Sequence, residues 1–136
     1  MARVALTIKQ GATGRFTLRW AGTDLTLYNV YLQFRRSFAS SAERAVETPL
    51  IDLSLVNNTS VGNAIAYGAA VSGIQDSLTI VIPADKTALL VNQDGNLDAP
   101  SHKADVLLAK KTDATAERVR IAEFDVFVDP RVTVVA

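Results

Sequence analysis

The stretch YNVYLQFR, residues 28–35, alternates strictly: Tyr28, Val30, Leu32 and Phe34 fall on one side, and Asn29, Tyr31, Gln33 and Arg35 on the other. A period of two scatters its apolar residues around a helix but gathers them on one face of a strand. The same period recurs at Val4, Leu6 and Ile8, at Phe16, Leu18 and Trp20, and at Ile51, Leu53 and Leu55. It returns at Leu78, Ile80 and Ile82 and around Val106 and Leu108. Near the C-terminus the phase changes, from Val119 and Ile121 to Phe124, Val126 and Val128. A phase change inside one strand requires a bulge or a corner, here near Ala122.

Helix has little room in such a chain. The segment 37–48, SFASSAERAVET, reads as a short helix or a mobile excursion ended by Pro49, and 84–90 reads as a single helical turn with Asp85 near its start. AGTD at 21–24 marks a turn between the second and third strands. The polar, glycine-containing stretch 57–73 reads either as a weak strand pair or as an exposed loop. The expected fold is therefore all-β, an antiparallel β-sandwich or squashed barrel of seven or eight strands with one short helix possible. Residues 1–136 form one domain, with 37–48 and 57–73 as excursions or loops. Expected core residues are Phe16, Leu18, Trp20, Val30, Leu32 and Phe34. At this length a folded chain hides about two-thirds of its surface, which is enough for a real core.

Charge narrows the function. Fourteen basic residues balance fourteen acidic ones, giving a formal net charge of zero. Phosphate backbones call for a positive surface, so a general nucleic-acid binder is not expected. Zero net charge also leaves little repulsion between copies. With no cysteine there is no disulfide framework and no thiolate nucleophile. MARVALTIKQG lacks the apolar centre of a secretion signal, and no apolar run reaches membrane-spanning length. The expectation is a soluble protein made in a cytoplasm, away from membranes.

No reaction centre emerges from the motifs. His102, the only histidine, sits beside Pro100 and Ser101 and reads as an exposed loop residue. Asp94, Asn96, Asp98 and Asp105 are spaced somewhat like a calcium loop, but Ala99 stands where such a loop needs glycine, and a solvated turn is the better reading of the same residues. Glu123 and Asp125 share a strand face, as carboxylates on the wet side of a sheet commonly do. No catalytic residue, metal or cofactor is expected, and the protein is not expected to be an enzyme. Interaction residues are easier to nominate. Tyr31, Phe38 and Phe127 fall off the apolar phase, Arg118 and Arg120 share a face, and Arg35 and Arg36 point to opposite faces. Tyr31, Arg35, Phe38, Arg118, Arg120 and Phe127 are thus the candidate interface.

FTLRW at 16–20, DLTLY at 24–28 and LQFR at 32–35, followed by ADVLL at 104–108 and FDVFVDPRVT at 124–133, occur in an order that resembles a family of small phage domains. These are the N-terminal domains of upper-baseplate and tail-fibre attachment proteins. The resemblance spans about residues 14–134, with Trp20, Asp24, Leu25, Thr26, Tyr28, Pro130, Val132 and Thr133 at the motif positions. Leu27 stands where the family commonly has glycine, and the family has another glycine near Phe124. The resemblance implies a virion structural protein of a bacteriophage tail or baseplate, an adaptor for fibres. It also implies other tail or baseplate proteins as partners, with several copies in three-fold or six-fold arrangement. Capsid decoration or a head fibre is the alternative, and a carbohydrate-binding module with Tyr31 or Trp20 in a groove is a further one.

Overall fold

The computed structural model describes residues 2–36, 48–60, 64–68, 73–91, 100–112 and 118–129. Among the described residues nine strands make two sheets. In chain order they are β1 (Ala2–Lys9), β2 (Gly14–Arg19), β3 (Tyr28–Arg36), β4 (Ile51–Val56), β5 (Thr59–Ser60), β6 (Ile65–Tyr67), β7 (Ser77–Ile82), β8 (His102–Lys110) and β9 (Arg118–Asp129). The larger sheet runs β1-β9-β8-β3-β4-β5, and the smaller runs β2-β7-β6. Their facing sides share one apolar cluster, with Val30, Leu32, Phe34, Val106, Phe124 and Val126 from the large sheet and Ile65, Leu78, Ile80 and Ile82 from the small one. The all-β sandwich expected from the alternation is what forms.

Several details depart from expectation. The β1–β9 pair is parallel, Ala2 opposite Ala122 through Lys9 opposite Asp129, in an otherwise antiparallel fold. The first three strands are not neighbours: β2 leaves for the small sheet, so the 21–24 turn links the two layers instead of closing a hairpin. Periodicity reports which side of a strand is apolar and carries no information on which strand lies beside it.

Burial separates the six expected core residues into two groups. Val30, Leu32 and Phe34 are fully buried, because β3 lies inside the large sheet between β4 and β8. Phe16, Leu18 and Trp20 are only half-buried against the cluster. The cause is position: β2 is the edge of the small sheet and has one neighbour, β7. Phe16 still reaches across the layers to meet Phe124 edge-on, ring centroids 6.0 Å apart at 65°. Phe124 therefore occupies the core.

The ends of the sandwich are plugged locally. Asp24 caps the 3-10 turn Leu25–Leu27, its Oδ1 accepting from Thr26 N at 3.1 Å and from Thr26 Oγ1 at 2.6 Å. That cap turns Leu25 inward, where it is fully buried. The DLT motif is thus a capped plug linking the sheets, with Trp20 half-buried before it and Tyr28 opening β3 after it. At the opposite end of β7, Pro83 precedes the one-turn helix α1 (Ala84–Thr87), and Leu90 fills the core. Thr87 Oγ1 donates to Ala12 O at 2.8 Å and so ties the β1–β2 connection to this plug.

One ambiguous segment resolves in part, and one expectation is corrected. Within 57–73, β5 and β6 are short strands, and Asn57 and Asn58 form a two-residue hairpin turn with φ of 49° and 63°. His102 is not a loop residue. It begins β8, faces inward and is 2% exposed. The segment 37–47 with Phe38, residues 92–99, and Pro130, Val132 and Thr133 lie outside the described residues.

Candidate functional site

The outer face of the large sheet is built by rungs crossing three strands. Tyr31 of β3 stands opposite Leu107 of β8, which stands opposite Arg120 of β9. The next rung is Gln33, Asp105 and Glu123; the one after is Arg35, Lys103 and Asp125. On the other side of Tyr31 come Asn29, Ala109 and Arg118. Leu107 and Ala109 are short, and Tyr31 and the two arginines are long. A trough therefore runs along β8 between two taller walls. Its volume is about 310 Å³, and Tyr31, Gln33, Arg35, Asp105, Leu107, Arg118 and Arg120 line it.

The irregularity in β9 puts the arginine wall there. Val106 pairs with Ala122 and Leu107 with Arg120, so Ile121 is an extra residue, a bulge beside the position the phase change marks. Because of it, Arg118 and Arg120 share a face with Glu123 and Asp125 although their positions differ in parity. An unbulged strand would have put one of these two pairs into the core.

Hydrogen bonds tie most of the face together. Arg120 Nε donates to Asp105 Oδ2 at 3.2 Å, Arg35 Nη1 to Gln33 Oε1 at 2.9 Å, and Gln33 Nε2 to Asp52 Oδ1 at 3.3 Å. Lys103 Nζ bridges Asp125 Oδ1 at 2.9 Å and Glu123 Oε1 at 3.7 Å. Glu123 and Asp125 are thus cross-strand ion-pair partners. Burial pushes the Asp105 carboxyl above its ordinary range; the Arg120 and Arg35 guanidiniums oppose that rise and Glu123 adds to it. Arg118 has no ion-pair partner among the described residues and is exposed.

Four of the six expected interface residues, Tyr31, Arg35, Arg118 and Arg120, converge on this trough. Phe127 does not. It is half-buried on the same face beside Thr7, roughly 20 Å along the strand from Arg120 at the usual rise per residue. Leu107 completes the site without having been singled out from the sequence, and Asp105, noted there only for a calcium-loop-like spacing, lines the trough. Leu107 carried a signal: in ADVLL it is a leucine on the polar phase between the buried Val106 and Leu108.

The inner face holds a separate polar feature. His102 Nδ1 lies 2.8 Å from Ser101 Oγ, and Arg36 stands across from it in register. Burial, with the Arg36 charge second, lowers the imidazole pKa from 6.5 to about 4. Ser101 and His102 are both buried, so this pair serves packing rather than exchange with solvent. Among the described residues no group of acidic, histidine or cysteine side chains is arranged to hold a metal ion.

Neither the protein-family models nor the curated proteins contain a match to this chain.

Proposed function

We propose that the protein is a non-enzymatic structural component of a bacteriophage tail or baseplate. It would act as an adaptor or attachment piece for fibres, working as repeated copies. One observation carries the interaction role: Tyr31, Arg35, Arg118 and Arg120 converge from three strands on a single shallow surface with Leu107 at its floor. Tyrosine and arginine are the residue types that dominate binding energy at protein interfaces, and a sheet face presents them on a rigid frame. Placement on a tail is supported by the FTLRW, DLTLY and FDVFVDPRVT segments and their family resemblance.

The test is the map of an assembled particle. The protein is expected at the tail or baseplate in several symmetry-related copies, with the β3–β8–β9 face against a neighbour and at least about 1,000 Å² buried in total. Placement on the shell would replace the adaptor role with capsid decoration, and absence from the particle would overturn the proposal. Tyr31 beside polar groups in a groove also favours a second reading, a carbohydrate-binding module. Glycan binding lost in Tyr31→Ala would support that reading.

A further inference from the structure

We infer that the trough over β8 is the docking site for an acidic, extended segment of a partner protein. One carboxylate of that segment would be held by Arg118 and Arg120, and an apolar side chain two residues away would rest on Leu107 and Tyr31. The inference rests on the assembly role above and names the chemistry of its partner.

Charge selects the occupant. The chain as a whole is neutral, yet the trough is lined by three arginines and a single aspartate. Asp105 takes one N–H of Arg120, leaving four of that guanidinium's five donors, and the Arg120 side chain remains 53% exposed. Arg118 is spent on no carboxylate among the described residues. It stands one rung further along, opposite Ala109, at the end of the trough away from Asp105. Two guanidiniums on one face of one strand, two residues apart, present a pair of forks, and a carboxylate fits such forks in bidentate fashion. A basic or phosphate-bearing polymer matches less well. The first meets like charge, and the second, charged at every unit, runs over Asp105, Glu123 and Asp125 on the adjoining rungs, which a segment with one carboxylate at the arginines does not.

The floor selects shape. Leu107 and Ala109 alternate along β8 with buried Val106 and Leu108, so the trough follows that strand, with β3 and β9 on either side. An extended chain lying along it would project every second side chain downward, one toward Leu107 and Tyr31 and the next acidic group toward the arginines.

The experiment uses the full chain and two independent readouts. The first is fluorescence anisotropy with a labelled hexapeptide, Ser-Glu-Ser-Leu-Ser-Ser, whose glutamate and leucine fall on one face when extended, its glutamine counterpart serving as control. The glutamate peptide is expected to bind about tenfold more tightly than the glutamine one, to weaken with salt, and to lose that advantage in Arg118→Ala/Arg120→Ala with unchanged thermal stability. Arg118→Lys/Arg120→Lys should keep part of it. Equal binding of both peptides, or a glutamate preference that survives the double alanine variant, overturns the inference. So does binding of free glucuronate in place of the peptide. The second readout is incorporation of Arg118→Glu/Arg120→Glu into assembled particles, which should fall about tenfold or more. If the wild-type protein enters particles and this folded variant enters equally well, the docking site is wrong while the assembly role stands. If the wild-type protein never enters particles, the assembly role fails, whatever the peptide does.

Discussion

His102 shows how one side chain sets a pH dependence. In the unfolded chain it takes a proton near pH 6.5; in the fold it resists until about pH 4, because it is buried and faces Arg36. Below pH 6.5 the unfolded state therefore binds more protons, and stability falls as pH drops from 6.5 toward 4. Above 6.5 the contribution is complete. The full swing is bounded at about 3 kcal/mol. Asp105 works in the opposite sense, since its raised folded-state pKa makes stability fall as pH rises through the carboxylate range. Comparing urea midpoints of wild type and His102→Gln between pH 4 and 7 isolates the histidine, and the variant should show the flatter profile. A parallel pair of profiles would show that His102 is not neutral and buried. The core residues divide similarly. Phe34→Ala, at a fully buried site inside the large sheet, should cost about 3–5 kcal/mol, and Phe16→Ala, half-buried on an edge strand, clearly less. Equal losses in chemical denaturation would contradict the edge position of β2.

At the scale of elements, the turn between β4 and β5 gives the sharpest test. Both of its residues have positive φ, a conformation that asparagine tolerates and that matches the twist of a two-residue hairpin. Asn58 Oδ1 also accepts from Tyr67 Oη at 3.1 Å and Lys111 Nζ at 2.7 Å, joining the hairpin to β6 and to the end of β8. Asn57 offers its backbone N–H to Asn29 Oδ1 at 2.9 Å, a bond that does not involve its own side chain. Asn57→Gly should therefore be neutral or slightly stabilising, while Asn58→Ala loses two hydrogen bonds and strains the backbone, costing about 1–2 kcal/mol in urea unfolding. The same hairpin explains what the sequence hid. A strand of two residues, Thr59–Ser60, has no room for a period, so only its turn could have announced it. Long strands were legible for the converse reason: β3, β4, β7, β8 and β9 each carry three or more alternating apolar residues. The bulge at Ile121 was legible as a phase change. His102 was not, because its burial depends on β3 and β9 lying on either side of it, and neither neighbour is written in the residues around it. The arginine wall was partly legible, since Arg118 and Arg120 share a parity. That Tyr31 and Arg35 stand across the trough from them follows only from the β9-β8-β3 order.

For the whole molecule, the unusual step is the closure of the large sheet by its most distant partners. Ala2 pairs with Ala122 and Lys9 with Asp129, so β1 can dock only after nearly all the described chain has been brought round. Antiparallel pairing of β3 with β4, by contrast, joins residues as close as Phe34 and Ile51. Closing a longer loop costs more entropy before any contact is made, and sheets dominated by distant pairings fold slowly, on the order of milliseconds to seconds. β1 is also an edge strand with a single neighbour, and its Val4 is 44% exposed, so it has less apolar burial to hold it than β8 or β3. Both arguments place β1 last in folding and first in opening. Pulse-labelling hydrogen exchange should show β3 and β8 amides protected before those of β1, and native-state exchange should show β1 opening at lower free energy than the global transition. Protection of β1 as early and as strongly as β8 would reverse the order. The docking trough lies over β3, β8 and β9 and uses none of β1, so variants that loosen β1 should leave acidic-peptide binding intact until the sandwich itself unfolds. Leu6→Ala, at a half-buried β1 position packed against the core, tests this: native-state exchange of β1 should quicken while the affinity for the peptide stays within about twofold of wild type. A parallel loss of binding would mean that the trough depends on the closing strand.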